Sequence, residues 1–144
     1  MSMPGNNQPS VTPVARGVTL CETVVGYENG NVDLYGLFNA ITPEEYPHVR
    51  EEFCVFAQLV NGLGRVPFII DIREAGSPRV IYTTVINHLT FATRTSLVRV
   101  VMTIRGCRFE RPGLYLVELH CNNEWVSDTV LELRPPREDK TDGG

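Results

Sequence analysis

The 144-residue sequence lacks the short motifs that mark common active sites. It contains no Gly-x-Ser-x-Gly elbow, no phosphate-binding loop, no His-Glu-x-x-His pair and no dinucleotide-binding fingerprint. Cys21, Cys54, Cys107 and Cys121 also lack the paired local spacing that zinc sites and redox motifs use. We therefore expect a non-enzymatic protein with no catalytic residues, no metal site and no cofactor.

Long apolar runs and a strong charge of one sign are missing as well. No run approaches the about 18 apolar residues that a transmembrane helix needs, and the formal net charge is only −4. We therefore expect neither a membrane nor a nucleic acid as partner. Residues 1–14 have no charged n-region and no apolar h-region, which predicts a cytoplasmic protein. An even number of cysteines allows two disulfides, but a cytoplasmic location favours free, buried thiols.

Arginine supplies nearly all of the positive charge, since Lys140 is the only lysine. One stretch concentrates it, namely Arg94, Arg99, Arg105, Arg108 and Arg111. Such a cluster can contact phosphate or nucleic acid. It can equally lie on an outward strand face and pair with acids such as Glu118 across the sheet. We favour the second interpretation, because the whole chain is negatively charged.

What the sequence does contain is strand alternation, which is clearest between residues 96 and 135. β-Branched and aromatic residues recur at every second position, and successive strand side chains point to opposite sides of a sheet. This places two sets of side chains in the core: Val98, Val100, Met102 and Ile104, and then Tyr115, Val117, Leu119 and Cys121. Asn29-Gly30, Pro112-Gly113 and Asn122-Asn123 supply the turn residues between such runs.

About eight strands with hairpin signals, and no helical period, predict an all-β fold. We expect an antiparallel, immunoglobulin-like β-sandwich, with a closed eight-stranded barrel as the alternative. The predicted boundaries are a disordered N-terminal segment over 1–13, a sandwich domain over 14–135 and a flexible C-terminal tail over 136–144.

Two blocks carry a resemblance to a known family. They are the opening hairpin ARGVTLCETVVGYENGNVDLYGLFNAI and the closing pair PGLYLVELHCNNEWVSDTVLEL. Both resemble an uncharacterised family of small bacterial β-sandwich proteins, a domain of unknown function, and the likeness covers about residues 15–134. The resemblance implies a bacterial source and an uncharacterised role, and it brings no catalytic residues.

The functional prediction comes from apolar residues on the outward side of the strands. If the alternating sets fill the core, an outward set remains that a single sandwich normally makes polar. This predicted interface consists of Leu97, Arg99, Val101, Leu114 and Leu116. We therefore expect a homo-oligomer or a protein partner docked on one sheet face. The alternative is a small-ligand or carbohydrate-binding module in which Trp125 stacks on the ligand, although Trp125 can also be a packing residue.

Overall fold

The computed structural model describes residues 9–137, and this range contains eleven β-strands and no helix. In the same range there is consequently no helix of the length and apolarity that crossing a membrane requires. The strands are β1 Val14–Cys21, β2 Thr23–Gly26, β3 Val32–Tyr35, β4 Ala40–Ile41, β5 His48–Val60, β6 Gly64–Glu74, β7 Val80–Thr83, β8 Asn87–Phe91, β9 Val98–Phe109, β10 Gly113–Cys121 and β11 Glu124–Leu133. The prediction of an all-β fold is confirmed.

The strands form two larger sheets and one hairpin. The first sheet has the order β1-β5-β9, and the second has the order β4-β11-β10-β6-β7, with β8 also paired to β6. Within the described range, β2 and β3 pair only with each other. Every pair is antiparallel except β4 with β11, which is parallel. No strand pairing among residues 9–137 joins the two larger sheets, in contrast to the closed alternative.

The two larger sheets share one hydrophobic core. Phe53, Val55 and Leu59 of β5 contribute from the first sheet, and Tyr115 and Val117 of β10 from the second. The predicted alternation is confirmed on both long strands: each of the eight side chains assigned to the core of β9 and β10 is buried or packs against the buried cluster. The alternation of apolar residues at every second position was sufficient to predict which side chains face the core, because neither strand is interrupted across those positions.

The prediction of about eight strands was too low. The runs over about residues 15–25 and 32–41, each expected to form one strand, are divided into β1 and β2 and into β3 and β4. The third additional strand, β8, lies almost entirely after the fifth strand expected over about residues 79–87. Each division moves the chain to a new neighbour. At Glu22, for example, the chain leaves β5 and begins the hairpin, where the Glu22 amide donates to the Tyr35 carbonyl at 2.9 Å. Partner exchange of this kind has no signature in local hydropathy.

The β2–β3 hairpin covers part of the outer face of the first sheet. β2 lies against β5, and the Arg99 guanidinium on β9 donates to the Gly30 carbonyl at the hairpin tip, at 2.7 Å. Beneath this cover, Cys54 and Phe56 are buried although they point away from the core. This explains why β5 is apolar on both faces.

The chain ends differ in part from the predicted boundaries. Residues 1–8 and 138–144 lie outside the described range, so the predicted disorder over 1–8 and most of the predicted tail are not described. Residues 9–13, however, are packed on the domain. Val11 forms a β-bridge with Leu63, and Asn122 donates to the Thr12 hydroxyl at 3.0 Å. The proline-rich composition of this segment did not reveal these contacts.

Candidate functional site

The outer face of the second sheet carries three carboxylates in one cross-strand row. Glu118 of β10 lies directly opposite Asp71 of β6 on one side and Asp128 of β11 on the other. Residues paired in this way point to the same face, with their Cβ atoms about 5 Å apart. Three negative groups therefore lie side by side in the middle of this sheet.

Glu118 is buried, with 7 % of its surface exposed, and it is compensated by two neighbours. Arg73 Nε donates to Glu118 Oε2 at 3.0 Å, and Arg73 Nη1 also donates to the Ser77 carbonyl at 2.8 Å. His120 Nε2 lies 3.2 Å from Glu118 Oε1 and 3.9 Å from Asp71 Oδ2. A buried carboxylate needs such partners, because desolvation otherwise penalises its charge.

Trp125 lies at the end of the same face. A β-bulge between Leu119 and His120 inserts one extra residue in β11, so that Trp125 is opposite His120 while Val126 packs against the core. Trp125 remains 57 % exposed, and its Nε1 donates to Asp128 Oδ2 at 3.0 Å. The bulge and this hydrogen bond together fix an aromatic ring in solvent.

Apolar side chains adjoin the carboxylate row. Leu116 lies opposite Val130 on this face, and Leu114 and Val130 are 52 % and 44 % exposed. We call the surface formed by Asp71, Arg73, Leu114, Leu116, Glu118, His120, Trp125, Asp128 and Val130 the β10 face.

A shallow cleft opens beside His120, on the side away from Trp125. It has a volume of about 310 Å³, and its lining includes Ile69, Ile86, His120 and Asn123. Asn122 and Asn123 form the β10–β11 turn with φ angles of 54° and 64°, as their sequence predicted. The cleft thus combines apolar walls with amide and imidazole groups.

A second surface lies on the opposite side of the domain, on the outer face of β9. We call Leu97, Arg99, Val101, Arg105 and Arg108 the β9 face. Leu97 and Val101 are 51 % and 44 % exposed. Arg105 Nε contacts Glu52 at 3.3 Å, and Arg108 Nε contacts Glu110 at 2.7 Å. The hydrogen bond from Arg108 lowers the pKa of Glu110 below its ordinary value.

The predicted interface residues therefore do not share one surface. Leu97, Arg99 and Val101 belong to the β9 face, whereas Leu114 and Leu116 belong to the β10 face. Sequence reasoning placed each side chain on the outward side of its own strand but did not find the row of Asp71, Glu118 and Asp128. Glu118 was expected on an outward strand face, but only the strand register brings the three acids together.

Cys107 and Cys121 lie in the core, whereas Cys54 is buried on the outer side of the first sheet. Cys121 points into the core, so it does not meet its chain neighbour His120, as alternation predicted. Burial raises the pKa of the Cys121 thiol to about 11 and that of Cys107 to about 12. All four cysteines are free, and residues 9–137 contain no group of three or more His, Cys, Asp or Glu side chains arranged to hold a metal ion.

Comparison with known proteins adds a family and no activity. No curated protein matches the chain. A family model described as "Family of unknown function (DUF6941)" matches residues 16–134, which include both faces and nearly all of the strands. The chain therefore belongs to this uncharacterised family, DUF6941.

Proposed function

We propose that this protein is a non-enzymatic protein-binding module whose β10 face docks on a positively charged protein surface. One observation carries the proposal: the β10 face leaves Trp125, Leu114 and Val130 exposed beside three carboxylates. Aromatic and aliphatic anchors surrounded by charge are typical of interaction surfaces.

The chemistry of the β10 face favours binding over catalysis. The Glu118 carboxylate is held by Arg73, and the His120 Nε2 is held by Glu118, so both groups are engaged in an ion network. Asp71 and Asp128 are the less compensated members of the row, which supports a partner with positive charge. We further propose an immunoglobulin-like sandwich, supported by the shared core of two facing sheets, and a cytoplasmic location, supported by four free thiols.

A pull-down with matched variants tests the proposed docking surface. Wild-type protein and the double variant Leu114→Lys/Val130→Lys are immobilised and exposed to an extract of cells that produce the protein. We expect the double variant to lose a bound protein that the wild type retains, because two lysines repel a basic surface. Val85→Lys is the control, since Val85 is also exposed but lies outside the β10 face, between β7 and β8. Equal binding by the double variant and the wild type would overturn the proposal.

A second candidate function is a carbohydrate-binding module, which the position of Trp125 supports. Its ring is exposed and lies opposite His120, and the cleft opens on the other side of His120. Sugars stack on such rings and hydrogen-bond to amides and carboxylates. Trp125 is the only tryptophan in the chain, so intrinsic fluorescence reports directly on it. A saturable fluorescence change with one member of a monosaccharide and oligosaccharide panel would favour this function, and a flat response to all would exclude the panel as ligands.

A further inference from the structure

The two named faces have opposite charge and point in opposite directions. The β9 face lies on the outer side of the first sheet and the β10 face on the outer side of the second, with the common core between them. Each has exposed aliphatic side chains, Leu97 and Val101 on one and Leu114 and Val130 on the other. The faces are therefore similar in apolar character and complementary in charge.

The β9 face keeps much of its positive charge. Arg99 donates only to neutral acceptors, Gln58 Oε1 at 3.1 Å and the Gly30 carbonyl at 2.7 Å. Arg105 and Arg108 have acidic neighbours, but both pairs are exposed to solvent. Exposed pairs exchange partners at little free-energy cost, so these guanidinium groups can bind a new carboxylate.

The β10 face has the reverse balance. Its row holds three carboxylates, Asp71, Glu118 and Asp128, and Arg73 is the guanidinium that pairs with one of them. Asp128 accepts a hydrogen bond from the neutral indole of Trp125, which leaves its negative charge uncompensated by that contact. The exposed face of the indole ring is itself a site where a guanidinium can stack.

We infer that the partner of the β10 face is the β9 face of a second copy of this chain. The inference rests on the proposed function and names its partner. Charge complementarity favours this pairing: a two-fold dimer through the β10 face would set carboxylates against carboxylates, and one through the β9 face would set arginines against arginines. The contact between unlike faces brings Arg99, Arg105 and Arg108 to the row of acids, and it covers the aliphatic residues of both surfaces.

Such a contact does not close on itself. Each copy that binds through its β10 face still offers its β9 face, so association continues into a stack or a ring, with no end point at the dimer. Because the recognition is largely ionic at the surface, salt weakens it, with a screening length of about 10 Å at 0.1 M.

Two variants that each disable one face test the inference. Leu97→Glu/Val101→Glu disables the β9 face, and Leu114→Lys/Val130→Lys disables the β10 face. All four side chains are exposed, and circular dichroism of each variant checks folding. If a double variant does not fold, the corresponding single variant, Leu97→Glu or Leu114→Lys, is used in its place. Sedimentation velocity is recorded for the wild type, each variant and their equimolar mixture, at about 100 µM protein and about 50 mM or 500 mM salt.

We expect the mean mass of the wild type to rise with protein concentration at low salt, and the association constant to fall at least tenfold at high salt. Each variant alone should be monomeric, and the mixture should stop at a one-to-one dimer, since one intact face of each kind remains. A monomeric wild type at low salt, a dimer that does not grow, or undiminished association by either variant would overturn the inference. The pull-down on the β10 face decides separately whether the proposed function survives that result.

Discussion

Arg73 and Glu118 form an ion pair on the outer face of a sheet, where solvent would be expected, yet the Glu118 carboxylate is buried. The Nε–Oε2 distance is 3.0 Å, and the side chains are 28 % and 9 % exposed. Removing the charge of Glu118 takes away the counter-ion of this pair and leaves the Arg73 guanidinium with neutral acceptors such as the Ser77 carbonyl. The ion pair should therefore contribute both to the stability of the domain and to the charge of the β10 face.

The variant Glu118→Gln should lower the free energy of unfolding by about 1–3 kcal/mol, because a buried charged partner loses its counter-ion. Glu132→Gln is the matched control, because the ion pair of Glu132 with Arg134 is exposed. We expect this variant to lower the free energy of unfolding by about 0.5 kcal/mol or less. Urea unfolding followed by fluorescence of Trp125 measures both. Equal effects of the two variants would show that the burial of Glu118 has no energetic consequence.

The stability of the fold should fall as the pH is lowered through the unfolded pKa of histidine, about 6.5. Desolvation, followed by the charge of Arg50, lowers the pKa of His48, and the buried Nε2 of His48 has no hydrogen-bond partner among the described residues. The unfolded chain therefore binds the proton more readily than the folded chain does. Stability is fully present above pH 6.5 and is lost as the pH falls toward the lower folded value.

Urea midpoints at several pH values between about 5 and 8 measure this loss, for the wild type and for His48→Leu. We expect a smaller slope in the variant. His88→Ala, at an exposed position on β8, controls for the removal of a histidine. A slope in His48→Leu as steep as in the wild type would assign the acid sensitivity to other groups.

The thiols of the folded protein should resist alkylation. Burial holds the pKa of Cys107 near 12 and that of Cys121 near 11, and the thiolate is the reactive form. Iodoacetamide at pH 8 followed by mass spectrometry should show little modification in the native state and up to four adducts in urea. Rapid native modification of Cys121 would mean that the core opens near the β10 face.

The hairpin cover predicts unequal effects at two neighbouring positions. Phe56 and Val101 are opposite each other on the outer face of the first sheet, but Phe56 is buried and Val101 is exposed. Phe56→Ala should destabilise the protein by about 3 kcal/mol, as in a core, and Val101→Ala by about 0.5 kcal/mol or less. Thermal unfolding of both variants measures the difference. Similar small effects would show that the hairpin does not seal this surface.

The turn between β10 and β11 should tolerate glycine at position 123 better than alanine. Asn123 has a φ of 64°, a region that side chains other than glycine and asparagine occupy at a cost of about 1 kcal/mol or more. Asn123→Gly should be neutral or slightly stabilising and Asn123→Ala destabilising by about 1 kcal/mol. Asn31→Ala is the control for the loss of an asparagine side chain, since Asn31 follows the β2–β3 turn and does not have a positive φ. Equal stability of the two Asn123 variants would contradict the assigned backbone conformation.

The sequence by itself determined the class of fold, the inward and outward sides of each long strand, and the Asn122-Asn123 turn. These follow from period-two alternation and from local backbone preferences, which need no partner. It also indicated that Leu97, Val101, Leu114 and Leu116 face away from the core.

Only the tertiary structure decided which outward residues lie together. The register of β6, β10 and β11 aligns Asp71, Glu118 and Asp128. The division at Glu22 sends the hairpin against β5, and one bulge turns Trp125 outward. Each of these features depends on contacts between residues that are distant in the chain. The alternation of apolar and polar residues within one strand does not identify the residues that lie opposite on the neighbouring strand.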